Sequence, residues 1–201
     1  MKKPWKRRII IIVAAVVVVL AVFGVLFYIE YSDEHEVIRL GKYRGLTVSS
    51  SGAESAEDAL VTMIVQRTIF GRAMDRKVEE KYEDAMAYFE SEAAYFQLAL
   101  PDYIKKYYAT DEKEFRDSVH STAETTVKQA AVLHAIAEKE NIELTNEEFE
   151  AMMPSLLETY GYTSEAEMAK AIDLQSVRDE LFQEKVIDYL MTQNTVVSSG
   201  Q

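Results

Sequence analysis

Residues 127–150, VKQAAVLHAIAEKENIELTNEEFE, carry the reading from which the rest of the chain follows. Val127, Ala130, Leu133 and Ala137 recur at steps of three and four, the spacing that lines side chains along one face of an α-helix. Glu138-Lys139-Glu140-Asn141 ends that helix, and Ile142-Glu143-Leu144 reads as an extended elbow. Thr145 with Glu148 three residues on forms a capping box, in which hydroxyl and carboxylate each satisfy a backbone N–H at the start of the next helix. The stretch is helix, elbow, capped helix.

The same grammar continues towards the C-terminus. The capped helix runs through EEFEAMMPSLLETY; Pro154 removes one backbone donor and is expected to kink it unless the helix restarts there. Gly161 is placed to close it in the left-handed conformation that an L side chain resists. Ser164 with Glu167 predicts a second capping box. The final helix spans about Leu174 to Gln193, with Leu174, Val177, Leu181, Phe182, Val186, Tyr189 and Leu190 on one face. Thr195-Val196-Val197 favours a short extended end, and residues 198–201 form a tail.

Upstream, the helix holding Val127 starts near Thr110 or Asp111, with Glu114 completing a box, and adds Val119 and Ala123 to its stripe. Pro101 suits the first turn of a short helix, PDYIKKYY. Before it, Leu60, Ile64, Gly71, Met74, Val78, Tyr82, Ala85, Phe89, Ala93 and Phe96 form one stripe, broken only by Arg67. Ser55 caps it, and Glu57 and Asp58 sit at the positive end of its dipole. Gly71 marks a bend or break, so residues 56–100 make one helix of about 45 residues or two in succession. His35 to Ser49 reads as extended with a turn, followed by the flexible linker SSSGAES; residues 30–55 are a juxtamembrane connector and 56–197 a helical domain.

Ile9 to Ile29 is a run of 21 residues without a charge. As a helix it would measure roughly 31 Å, enough to cross a bilayer core of about 30 Å. Residues 1–8 carry Lys2, Lys3, Lys6, Arg7 and Arg8, whereas EYSDEHE follows the run, so the N-terminus is expected in the cytoplasm and the rest outside. A cleaved signal peptide fits less well, because its apolar core is shorter and ends in small residues. The run is read as a transmembrane signal anchor in the cell membrane.

Of 22 basic and 34 acidic residues, five of the former precede that run, leaving 17 against 34, a net charge of −17, in the part that follows. Such a body repels nucleic acid and anionic headgroups. With no cysteine there is no disulfide, thiol chemistry or thiolate metal site. His120 and His134 are 14 residues apart on one helix, about 21 Å along its axis, too far to share a metal or a catalytic step. No phosphate loop, HExxH pair or nucleophile elbow occurs. The expectation is a protein that is not an enzyme, with no cofactor and no metal.

Four stretches carry a resemblance. Residues 132–152, VLHAIAEKENIELTNEEFEAM, and 177–197, VRDELFQEKVIDYLMTQNTVV, closely resemble the C-terminal chaperone domain of bacterial trigger factor, through Ala135 to Ile142, Leu144 to Glu148 and Val177 to Asn194. LALPDYIKKYYATDEKEFRDSV resembles a further segment of that family through Asp102, Tyr103, Thr110 and Phe115. LGKYRGLTV, residues 40–48, looks like the connector that precedes the family's isomerase domain. The resemblance implies an all-α, SurA-like helical domain with long arms that holds unfolded or nascent secreted polypeptides. Only the Ser/Gly linker stands where the isomerase domain belongs and a membrane run stands in place of the ribosome-docking domain, so those two functions are not carried over.

The leading function is therefore a membrane-anchored, extracytoplasmic chaperone-like protein, bound to the lipid bilayer through Ile9 to Ile29. The candidate polypeptide-binding residues are Met86, Phe89, Tyr95, Phe96, Met152 and Met153, since Met and aromatic side chains make adaptable apolar surfaces. Each also fits a core position. The alternative is a scaffolding membrane protein whose long helix, residues 56–100, self-associates or docks a dedicated partner.

Overall fold

The computed structural model describes residues 38–50 and 55–198; Ile9 to Ile29 lies outside them. Among the described residues seven helices and two short strands occur in the order β1 (Thr47–Ser50), α1 (Ala56–Arg67), α2 (Arg72–Tyr95), α3 (Leu100–Tyr107), α4 (Glu112–Glu140), α5 (Asn146–Tyr160), α6 (Glu165–Ala171), α7 (Leu174–Gln193) and β2 (Thr195–Ser198). The architecture is mostly helical, with a two-stranded parallel sheet added to the all-α expectation. No helix among them is long and apolar enough to cross a membrane.

Local chemistry sets most boundaries. Ser55 accepts from the Asp58 N–H and starts α1, and Asp111 accepts from Glu114 to start α4. The box at Thr145 is complete: its hydroxyl accepts from Glu148 N at 3.2 Å, and the Glu148 carboxylate accepts from Thr145 N at 2.9 Å. Gly161 closes α5 at φ 75°, and α5 stays helical through Pro154. At Ser164 the expected box is shifted. Its hydroxyl caps Glu167 N, but the Glu167 carboxylate turns to the N–H and hydroxyl of Thr163, at 3.0 and 2.7 Å. Thr163 offers two donors where Ser164 would offer one.

The single helix over residues 56–100 does not form. α1 stops at Arg67 because Thr68 turns extended and Ile69 exchanges both backbone hydrogen bonds with Arg39, each 3.0 Å. Gly41 fits beside this break: a Cβ there would lie 2.3 Å from the Arg67 carbonyl oxygen. The scaffolding alternative thus loses the continuous helix it relied on.

The chain folds into two compact units, one of Arg72–Val127 and one holding residues 38–71 and 128–198; α4 passes from the first into the second. In the first unit α2, α3 and the start of α4 bury Ala85, Met86, Phe89, Ala93, Tyr103, Ile104, Phe115 and Val119 in one cluster.

The second unit has two clusters. One gathers Leu60 and Ile64 of α1, Leu133 and Ile136 of α4, Val186 and Leu190 of α7, and Tyr43, Leu46 and Val48 from the connector. Residues 38–50 are thus part of the folded unit, not a spacer ahead of it. Thr47–Ser50 pairs with Thr195–Ser198, and Asn194 fastens the junction: it accepts from Leu46 N at 2.8 Å and donates to the carbonyls of Tyr43 and Leu190. The other cluster joins Leu144, Phe149, Met153, Met168 and Val177. Here the elbow is tied to α7, with Arg178 donating to the Leu144 carbonyl at 2.8 Å and Lys185 to the Glu143 carbonyl at 2.7 Å.

Candidate polypeptide-binding surface

The α2 stripe ends where its aromatic residues begin to diverge. Leu98 N donates to the Ala93 carbonyl and Gln97 N to that of Ala94, both at 2.9 Å, closing α2 and reversing the chain into α3. Phe89, two turns earlier, points into the cluster and meets Phe115 edge-on at 4.9 Å. Tyr95 and Phe96 fall beyond the last covering residue and remain 79% and 44% exposed.

α3 completes the surface. Tyr103 and Ile104 turn inward, whereas Tyr107, one turn on, is 45% exposed. Phe96 lies 5.2 Å from Tyr95, 5.2 Å from Tyr107 and 6.0 Å from Tyr103, the last pair near-parallel at 28°. Such offset and tilted pairs hold each other's orientation, so the three exposed rings form a braced patch at the α2–α3 turn. Lys106 sets its ammonium 5.0 Å from the Tyr107 ring centre, and Glu90, Asp102 and Lys105 are exposed nearby in sequence. Behind the patch, burial raises the phenols of Tyr103 and Tyr108, which stay neutral donors in ordinary buffers.

Of the six residues expected to contact clients, Tyr95, Phe96 and Met152 are exposed, Met152 on α5 in the second unit. Met86, Phe89 and Met153 are core residues instead. They lie on the inward stripes of α2 and α5, and neighbouring elements cover them. Tyr107 was missed. Its signal was present: Tyr103, Ile104 and Tyr107 crowd an eight-residue helix capped by Tyr108, a wider apolar arc than one neighbour covers.

The remaining polar clusters are structural in character. His120 of α4 sits beside Glu79 and Tyr82 of α2, at 3.7 Å and a ring separation of 5.4 Å. His134 stacks on Phe182 at 4.9 Å, and burial lowers its affinity for a proton. Among the described residues no set of three or more His, Asp or Glu is arranged to hold a metal.

The comparisons agree on one kinship. A family model described as "Bacterial trigger factor protein (TF) C-terminus" matches residues 50–192. Curated relatives include the trigger factor of Caldicellulosiruptor bescii, 25% identical over 149 residues, covering 71% of this chain and 34% of the relative. That of Listeria welshimeri is 27% identical over 150 residues, covering 71% and 35%. That of Listeria innocua is 28% identical over 152 residues, covering 72% and 35%. The chain spans about a third of the length of the curated relatives it matches.

Proposed function

The chain belongs to the bacterial trigger factor C-terminal family, and from that premise we propose that it holds unfolded or nascent secreted polypeptides without catalysis. One observation carries this reading: a braced patch of exposed aromatic rings, Tyr95, Phe96 and Tyr107, on a domain of a chaperone family. Magnitudes favour a holdase over a tight receptor. Covering what the three rings expose removes on the order of 300 Å² of apolar surface, roughly 7 kcal/mol at about 25 cal/mol per Å². Association and ordering cost about 4 kcal/mol or more, so one contact has millimolar-range affinity. A client is retained by several such contacts and released quickly from each. Exposed Met152 is a candidate second contact.

The site of action is part of the same proposal. The uncharged run Ile9 to Ile29, with cations before it and acidic residues after, supports a membrane anchor with a cytoplasmic N-terminus. The acidic body, exposed outside the cell membrane, stands off from anionic lipid while its apolar patch remains free for secreted chains.

The test uses the full-length chain in phospholipid nanodiscs and reduced, carboxymethylated α-lactalbumin as the unfolded client. The chain is expected to suppress client aggregation, and Tyr95→Ser/Phe96→Ser/Tyr107→Ser to lose most of that effect. Equal suppression by the triple variant, or none by the parent at several-fold molar excess, removes the reading. Protease digestion of intact and opened cells tests the location; protection of the body in intact protoplasts would exclude an outside position.

A further inference from the structure

α3 covers the most aromatic part of the first unit, yet both of its connections use residues poorly suited to them. Gln97, before it, and Ala109, after it, each have φ 56°. That left-handed region suits glycine or asparagine; Gln and Ala meet the steric conflict of a Cβ without a short polar group to offset it. Its N-cap, Ala99, offers no side-chain oxygen to the first N–H groups. At eight residues α3 is also shorter than the roughly 12 that a helix needs to persist alone. What holds it is what it covers. Tyr103 and Ile104 share a buried cluster with Ala93, Phe89 and Phe115, and Tyr108 meets Phe89 and Phe115 at 5.8 and 4.9 Å.

We propose that α3 is a displaceable cover, a resident stand-in for a client helix, seated on Phe89 and Phe115. The proposal rests on the polypeptide-binding reading above and names its client class. A fitting segment is a short amphipathic helix with an aromatic–aliphatic pair and another aromatic four residues beyond it, the pattern of Tyr103-Ile104 and Tyr108. α3, seated there, shows which chemistry the floor accepts. The strained connections keep the closed state shallow, so a segment of the same pattern competes with the cover. Displacement exposes the rings of Phe89 and Phe115 beside Tyr95 and Phe96, while Tyr107 leaves with the cover.

Hydrogen exchange on the full-length chain in nanodiscs reads the cover directly. Amides of residues 103–108 are expected to exchange at least 100-fold faster than those of residues 82–89 in α2. A fluorescein-labelled peptide of residues 98–109, LALPDYIKKYYA, is the binding probe. Ile104→Ala loosens the seat without touching the exposed rings, and should raise probe affinity at least fivefold. Ala109→Gly relieves the left-handed residue, holds the cover down and should lower affinity about threefold; it also serves if Ile104→Ala fails to fold. Exchange of α3 only together with α2, or probe affinity unchanged in the folded variants, overturns the cover. If the cover fails but the triple ring variant still loses client holding, the exposed patch stands. If the ring variant holds clients normally, the preceding reading fails, and α3 exchange with probe binding still decides the cover.

Discussion

The Tyr43 hydroxyl donates to the Glu140 carboxylate at 2.6 Å, joining the connector to the last turn of α4. Tyr189 of α7 donates to the same carboxylate at 2.8 Å, and Arg44 pairs with it and with the Tyr189 hydroxyl. Lys139 also lies 5.1 Å from the Tyr43 ring centre. One carboxylate thus gathers donors from separate parts of the second unit, and its loss would be felt by all of them.

Two pH windows follow from this cluster. Hydrogen bonds from Tyr43 and Tyr189, then the Arg44 charge, lower the Glu140 pKa. Its contribution is therefore present above the ordinary carboxylate range and is lost as pH falls through the lowered value. Burial, then the bond to and charge of Glu140, pushes Tyr43 up to about 12. That contribution is intact below pH 10 and is lost as pH rises from about 10 to 12. Glu140→Gln should lower the melting temperature at pH 7 and flatten the acid limb, and Tyr43→Phe should flatten the alkaline limb. Unchanged limbs in thermal melts from pH 3 to 12 would refute the assignment.

Gly41→Ala should destabilise the fold by about 1–3 kcal/mol. The added Cβ would meet the Arg67 carbonyl oxygen, a backbone atom that can move only if the Arg39–Ile69 bridge moves with it. Urea denaturation checks this, and a change below about 0.5 kcal/mol would show that the junction has slack.

Lys81 of α2 is 4% exposed, and burial lowers its pKa to about 8, against a smaller opposing influence of Asp84. Below pH 8 the lysine is charged in both states and the folded state bears the desolvation cost. Between about 8 and 10.5 the folded state sheds its proton first, so stability should rise with pH. Lys81→Met should add about 1–2 kcal/mol at pH 7, a gain that shrinks towards pH 10. Denaturation of parent and variant across that range decides it; a gain independent of pH would place its origin in packing.

Tyr95→Ala and Phe89→Ala separate surface from core. Phe89 is fully buried, and its truncation should cost about 3–5 kcal/mol. Tyr95 is largely exposed, so its truncation should change stability by less than about 0.5 kcal/mol. It should nonetheless weaken client binding several-fold. A large loss of stability from Tyr95→Ala in denaturant titration would contradict its placement.

Thr145→Ala should cost about 1 kcal/mol and raise exchange in the first turn of α5. Both halves of the box depend on this residue, the hydroxyl directly and the Glu148 carboxylate through the Thr145 N–H. Amide exchange at residues 147–149 measures it, and protection equal to the parent would mean that Lys185, bound to Glu148 at 2.6 Å, holds the turn alone.

Helix ends and inward stripes were legible because they are written within a few residues. A cap, a left-handed glycine and a three-and-four repeat act through contacts inside one or two turns. Thr145, Gly161 and the span Leu174–Gln193 therefore read correctly from the chain alone. Local rules faltered where two residues compete for one group, as Thr163 and Ser164 do for Glu167. They also left open whether Gly71 interrupts a helix, because the break is held by Arg39, 30 positions from Ile69.

By itself the sequence determined the helical grammar, the family and the aromatic character of residues 82–108. Tertiary structure decided which of those rings serve the core and which face outward. Phe89 and Phe96 lie on the same stripe, yet α3 and α4 bury the first, whereas the second, beside Tyr103 and Tyr107 of α3, stays 44% exposed. Tertiary structure also made residues 38–50 part of the fold, since Leu46 meets Asn194 across 148 positions. The division is physical: periodicity fixes the face on which a side chain lies, but burial depends on what distant segment arrives to cover it.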